Sequence, residues 1–260
     1  MEPTFTTSFI RYKKKIKTKN ALMVIGLPGI GFVSKMAVDN LVTALKSKKI
    51  ATIYSPHFPN QVLTMPSGKL RPFSIRIHYA KIKNTPVFLL KGDLQPLTVE
   101  GQYEVSAAIL KLAKELGVKE VLAMAGFAVQ GKKNPEIYCA STSKKLFTLY
   151  KKLGAKPLQR VIPVVGMAGL LPALAKSFEI SGSCLLVETP GTQLDSNGAK
   201  ALTKMLGKKL GEKFDTKDLE RKVRKAEKLL SQIEMQAKKE ETQLMPKPNE
   251  AIKDALNYIR

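Results

Sequence analysis

The spacing of apolar positions along this chain changes repeatedly, from short continuous runs to helical periodicity and back, and those changes predict its elements. Ala21 to Ile25 is continuously apolar and too short for an amphipathic surface helix, so it is expected as a buried parallel strand. Gly26, Pro28, Gly29 and Gly31 make a turn, after which Phe32, Val33, Met36, Val38, Leu41, Val42 and Leu45 recur at helical spacing. Further strands are expected within residues 5–17 and at Ile50–Tyr54, Phe73–Tyr79, Val87–Leu90, Glu120–Ala125, Ile137–Ala140, Val161–Val165 and Ser183–Val187. Met65-Pro66-Ser67-Gly68 is expected to turn between two strand-like pieces. Helices are expected over Leu97–Gly117, capped by Thr98, over Ser143–Leu153, and after a second glycine turn in GMAGLLPALAKSFEI. Alternation of this kind predicts an α/β domain with a mostly parallel sheet and helices on both faces.

From Ser196 the pattern is helical only. Leu219, Val223, Ala226, Leu230, Ile233, Ala237, Glu240 and Leu244 alternate steps of four and three, a heptad seam with one polar interruption. Glu220, Glu227, Glu234 and Glu241 fall in the neighbouring column. Such a seam needs a partner helix, expected from another subunit because the outer columns are strongly charged; folding back on the core is the alternative. Met245-Pro246-Lys247-Pro248-Asn249 then breaks the helix and leaves an amphipathic tail. The chain thus reads as a core over 1–212, a heptad-patterned helix over 213–245 and a tail over 246–260.

Composition narrows the class. With 260 residues, 44% hydrophobic and 25% charged, the chain can bury a full core. No apolar run is long enough to span a membrane, and the N-terminal charges follow rather than precede any apolar stretch, so a cytoplasmic protein is expected. The net charge of +23 attracts polyanions in general. Without tryptophan, aromatic interleaving or a recognised motif, the lysines read as a solvated surface and nucleic acid is not an expected partner. Cys139 and Cys184 are expected as buried free thiols.

Candidate chemistry is sparse. The first turn runs G-x-x-G-x-G, not the G-x-G-x-x-G of dinucleotide sites, and Ser34-Lys35 reverses the order a phosphate loop requires. It reads first as a turn that lets a helix pack close on the sheet, and otherwise as helix amides open to an anion. His57 and His78 lack metal-ligand spacing, and no nucleophile elbow or catalytic-cysteine signature occurs. Asp93, Glu100 and Glu188 stand near strand ends and are the best candidates for acid/base or magnesium work, with capping and pairing to lysines as the competing explanation. No catalytic, cofactor-binding or metal-binding set is expected.

Three stretches together carry a resemblance: VIGLPGIGFVSKMAVDNL at 24–41, GDLQPLTVEGQYEV at 92–105 and VVGMAGLLPALAKSFEISGSCLLVETPG at 164–191. In order and spacing they resemble the archaeal branch of the proteasome assembly chaperone family. The resemblance implies a three-layer α/β/α sandwich similar to phosphorylase/hydrolase-like folds, assembly into homo-oligomers, and binding to proteasome α-subunits or the core particle rather than catalysis. Members often dock through a C-terminal tail, which points to Leu256, Tyr258, Ile259 and Arg260 here; asparagine precedes the tyrosine, a departure from the family pattern. Within the seam, Leu219, Val223, Leu230, Ile233 and Leu244 are the expected oligomer contacts. The alternative function is a small-molecule- or nucleotide-binding enzyme, related to ATP-grasp or nucleoside phosphorylase-like proteins, using the crevice beside Gly26–Gly31 and Gly166–Gly169.

Overall fold

The computed structural model describes residues 5–129, 134–191, 194–221 and 223. Strand β2 (Ala21–Gly26) is buried along its whole length, and its pleat divides the core in two. Ala21, Met23 and Ile25 point to one cluster while Leu22 and Val24 point to the other, as a strand covered on both faces requires.

Strands β1 (Phe9–Tyr12), β3 (Lys48–Tyr54), β6 (Ile75–Ile82), β7 (Thr85–Gly92), β8 (Val118–Ala128), β9 (Ile137–Ser141), β10 (Lys156–Pro157) and β11 (Ser181–Thr189) join β2 in one sheet. Their order is β1-β3-β6-β7-β2-β8-β11-β9-β10. β4 (Val62–Thr64) and β5 (Leu70–Pro72) form a separate two-stranded ribbon across the expected Met65–Gly68 turn. Helices α2 (Val99–Glu115) and α4 (Met167–Leu174) pack on the first cluster through Val105, Ile109, Leu112, Met167 and Leu171. On the second cluster lie α1 (Val33–Ala44), α3 (Lys144–Lys152) and α5 (Ser196–Leu210), through Val38, Leu41, Tyr150, Leu202 and Leu206. The result is the expected three-layer α/β/α sandwich.

Two expectations are corrected. The sheet is mixed: β7, β2, β8 and β11 run parallel at its centre, but β1, β3 and β6 add antiparallel neighbours on one side and β9 on the other. The reason is local, since β6 and β7 are separated by only Lys83 and Asn84, with Lys83 at φ 52°, and a two-residue link allows a hairpin but no crossover. Val161–Val165 is not a buried strand. It is irregular backbone, with Val161 102% and Val165 85% exposed. Pro163 removes a ladder donor from the run, and β11 already has β8 and β9 as neighbours.

The chain divides into a unit of residues 1–219 and a second of 220–260. Leu219 is buried in the cluster that holds α1 and α5, and Val223 is buried. Leu230, Ile233 and Leu244 of the seam, and Leu256, Tyr258, Ile259 and Arg260 of the tail, lie outside the described residues.

Candidate functional site

At the carboxyl end of the central strands the two glycine turns come together. Gly26 is a packing glycine: a Cβ there would lie 2.5 Å from the Val38 Cβ and 2.6 Å from the Ser34 carbonyl, so α1 rests directly on the end of β2. Gly31 has φ 64° and would meet the Thr189 hydroxyl at 2.5 Å, whereas Gly29 is extended and has room. Phe32 follows at φ 52°, an unusual left-handed conformation for an aromatic residue. The Ser34 hydroxyl donates to the Leu27 carbonyl at 2.7 Å and so closes the turn rather than facing a ligand.

The second turn starts α4 at Gly166, with φ 81°. Gln95 joins the two turns. Its Nε2 donates to the Pro28 carbonyl at 2.7 Å, and its Oε1 accepts the Met167 backbone N–H at 2.9 Å. An amide that an anion would use at the start of α4 is therefore already occupied by a neutral side chain.

Between the turns lies a cleft of about 620 Å³, walled by Pro28, Ile30, Leu97, Phe127 and Val165. Ser34, Gln95 and Gln102 are its polar members, and among the described residues no acid, base or thiol lines it. A neighbouring hollow of about 510 Å³ shares Gln102, Val164 and Gly166 with it and adds Tyr103 and Cys184. Burial pushes the Cys184 thiol up to about 12, which leaves it an inert core group. Cys184 stands opposite Ala140, and Cys139 opposite Leu185, so the two thiols project from opposite faces of the sheet and stay unbridged.

The three candidate acids are placed elsewhere and apart in role. Asp93 accepts from Arg71 at 2.5 and 3.2 Å, from Arg76 at 2.6 Å and from the Ser74 N–H at 3.1 Å. Burial alone would raise its pKa, but the Arg71 hydrogen bonds and the Arg76 charge outweigh it and hold the carboxyl below its ordinary value. Such a carboxylate is a structural anchor, saturated with donors. Glu100 is exposed in the first turn of α2, where its charge complements the helix dipole. Glu188 is buried in β11, accepting the Glu136 N–H at 2.9 Å and the Tyr138 hydroxyl at 3.2 Å. None of the three lines the cleft.

The histidines carry no site either. His57 packs under Gly101 in the first turn of α2, and His78 stands 3.4 Å from the Ser47 hydroxyl. Burial, then the nearby lysines and Arg76, push the His78 pKa down despite its contact with Ser47. Among the described residues no group of three His, Cys, Asp or Glu could hold a metal ion, and no helix is long and apolar enough to cross a membrane.

What the cleft has instead is an apolar rim. Of the residues that line the cleft, Leu97 is 74% exposed and Ile30 and Val165 are exposed as well, and Tyr103 of the neighbouring hollow is also exposed. Neither the bridging role of Gln95 nor this exposed apolar lining is legible in the sequence pattern. The Gln95-Pro96 pair between a buried strand and the Thr98 cap was the available signal for a bridging amide.

Residues 23–234 match the model of the PAC2 family. The chain belongs to the PAC2 family. An uncharacterized protein of Methanocaldococcus jannaschii is 33% identical over 217 residues, covering 83% of each chain. Among solved structures, PbaB of Pyrococcus furiosus, an archaeal proteasome activator, is similar with a TM-score of 0.79 and 29% identity, over 88% of this chain and 99% of that one. PbaA of the same organism, an archaeal homolog of proteasome-assembly chaperone, shares the fold with a TM-score of 0.71 at 22% identity, over 90% of this chain and 95% of that one. For a PAC2 family chain, the cleft, uncharged among its described lining residues, is the feature that needs a functional reading.

Proposed function

We propose that this PAC2 family protein is a non-enzymatic, proteasome assembly chaperone-like protein. It forms a homo-oligomer and binds core-proteasome α-subunits through the tails at 246–260, with Leu256, Tyr258, Ile259 and Arg260 as contacts. The observation that carries this reading is the mouth of the sheet. At the place where α/β enzymes gather their reactive groups, the described lining offers two glutamine amides and an occupied serine hydroxyl, set within apolar side chains. General acid/base or metal-assisted chemistry requires titratable or ligating groups there. A docking face requires apolar ones.

The 29% identity with an archaeal proteasome activator supports the choice of partner. Several tails displayed by one oligomer would raise affinity for a ring by multivalency, without strong single contacts. The test is capture of purified core-proteasome α-subunits by the full chain and by a chain lacking residues 249–260. Binding by the first and its loss in the second is expected; equal capture by both removes the tail from the mechanism, and capture by neither removes the partner.

A further inference from the structure

We propose that the outer, antiparallel half of the sheet is a binding face for single-stranded nucleic acid, a function beyond the chaperone role above and independent of the tails and the cleft. Strands β1, β3 and β6 bury one face only. Ile10, Ala51, Ile53, Ile75 and Ile77 turn to the first core cluster, while the second cluster takes nothing from β1 or β3 and only Ile82 from β6. The side chains that alternate with them project to the other side, where no apolar layer among the described residues covers them.

Strand pairing assembles on that side what the linear sequence keeps apart. Arg11 stands opposite Thr52, Thr52 opposite Arg76 and Arg76 opposite Lys91, so one row crosses four strands and holds three cations. At strand spacings of about 5 Å such a row costs stability on its own, because like charges placed directly opposite repel. Lys49 stands opposite His78 in the next row. Burial pushes the His78 pKa down first, and the charges of Lys91, Arg76 and Lys49 push it the same way, so the three cations converge on one ring. Two carboxylates answer them, and each is shared: Asp39 by Lys35 and Lys91, Asp93 by Arg71 and Arg76. Arg11 and Lys49 are exposed and have no carboxylate partner among the described residues.

Aromatic rings complete the face. Phe9 stands opposite Tyr54, and their rings stack with centroids 5.2 Å apart and planes at 25°. The Phe5 ring meets Phe9 edge-on at 5.2 Å and is 65% exposed. Phe9 and Arg11 flank the core-facing Ile10, so ring and guanidinium share one side of β1. The interleaving of rings and cations that the residue order lacks thus arises across strands. This combination selects the partner. An acidic protein segment would use the cations and leave the rings idle, whereas a single strand of nucleic acid uses both, with phosphates on the cations and bases stacked on the rings. A duplex keeps its bases stacked inside, and a broad sheet face fits neither of its grooves.

The experiment follows the fluorescence anisotropy of a labelled oligo-dT of about 20 nucleotides titrated with the full chain, at salt from about 0.05 to about 0.3 M. Wild type is compared with R11Q/K49Q, with the charge-matched K144Q/K145Q on α3, and with F5A, using circular dichroism as the folding control. Every substituted side chain is exposed, so each variant should keep its fold. Expected is salt-sensitive binding by wild type that weakens about tenfold or more in R11Q/K49Q, with a log–log salt slope shallower by about 1.4 for two lost phosphate contacts. K144Q/K145Q should change affinity less than about twofold, and F5A should weaken it about fivefold or more through lost base stacking. No binding by wild type, equal weakening in the two double variants, or an unchanged F5A overturns the proposal. So does a poly-glutamate of about 20 residues that binds at least as tightly as the oligo-dT, a result that assigns the face to an acidic protein segment.

Discussion

Gln95 accepts the Met167 backbone N–H through Oε1 at 2.9 Å, so a side chain just beyond the end of β7 serves as the first-turn cap of α4. Its other end holds the Pro28 carbonyl at 2.7 Å, and one half-buried amide therefore fixes the distance between two glycine turns remote in sequence. Gln95→Leu keeps the volume and removes both bonds. The loss should be about 1–3 kcal/mol in urea denaturation, with faster hydrogen exchange at Met167 than in the middle of α2. Gln95→Glu retains an acceptor for Met167 but gives up the donor to Pro28, and should fall between. Wild-type stability in Gln95→Leu would mean that water replaces the amide at both ends.

The glycines of the first turn separate packing from conformational freedom. Gly26→Ala places a methyl group 2.5 Å from the Val38 Cβ and should cost about 1–3 kcal/mol through overpacking between β2 and α1. Gly29→Ala should stay within about 0.5 kcal/mol of wild type, because Gly29 is extended and its nearest neighbour would be the Gln95 Nε2 at 3.9 Å. Thermal denaturation of both variants checks the pair. Equal destabilisation would mean that the turn is strained as a whole rather than pinned at one contact.

Two runs of similar composition show how far the pattern was legible. Ala21–Ile25 reads as a buried strand and lies at the centre of the sheet, since its apolar residues meet helices on both faces. Val161–Val165 looks alike in one dimension but contains Pro163 and finds no vacant place beside β11, so it became exposed cleft wall. Helix positions were legible for a different reason: Thr98 accepts the Gly101 N–H at 3.1 Å, and Ser143 accepts that of Leu146 at 3.4 Å, each a local cap that needs no tertiary information. The mixed character of the sheet was not, because Lys83-Asn84 carries a weaker turn signal than Asn-Gly would. The site was least legible of all. Gln95 acts between two distant turns, and Asp93 owes its role to Arg71 and Arg76 on other strands, which no local period encodes.

Asp93 should matter for stability and for the β4–β5 ribbon, to which Arg71 ties it. Asp93→Asn removes a carboxylate that satisfies two guanidinium groups and should cost about 1–3 kcal/mol. Protease cleavage within residues 60–73 should rise before the sheet unfolds. The pH dependence follows from the sign of the shift: because the folded carboxyl titrates below its ordinary value, its contribution is complete above that value, about 4, and is lost as the pH falls through the lower folded one. Wild type should therefore lose more stability than Asp93→Asn on acidification below about pH 4. Parallel acid curves for the two proteins would exclude Asp93 as a source of the dependence.

The opposite sign applies at alkaline pH. Tyr150 is fully buried beneath α5; its hydroxyl donates to Glu120 Oε1 at 2.5 Å, Lys209 donates to Glu120 Oε2 at 2.7 Å, and the Lys209 ammonium lies 4.6 Å from the Tyr150 ring centroid. Burial first, and then the Glu120 charge and hydrogen bond, push the Tyr150 phenol well above its ordinary value. Tyr138 is raised to about 12, by burial first and then by its hydrogen bond to Glu136 and the charge of Glu188. The fold therefore favours the protonated phenols, and their contribution is complete below the ordinary tyrosine value of about 10 and is lost as the pH rises through the higher folded values. Tyr150→Phe gives up one hydrogen bond and should be about 1 kcal/mol less stable at neutral pH. It should also show a shallower decline above about pH 10, since one phenol no longer favours the fold by staying protonated there. Denaturant midpoints across the alkaline range measure both effects, and an equally steep decline in Tyr150→Phe would assign the dependence to Tyr138 and the remaining tyrosines.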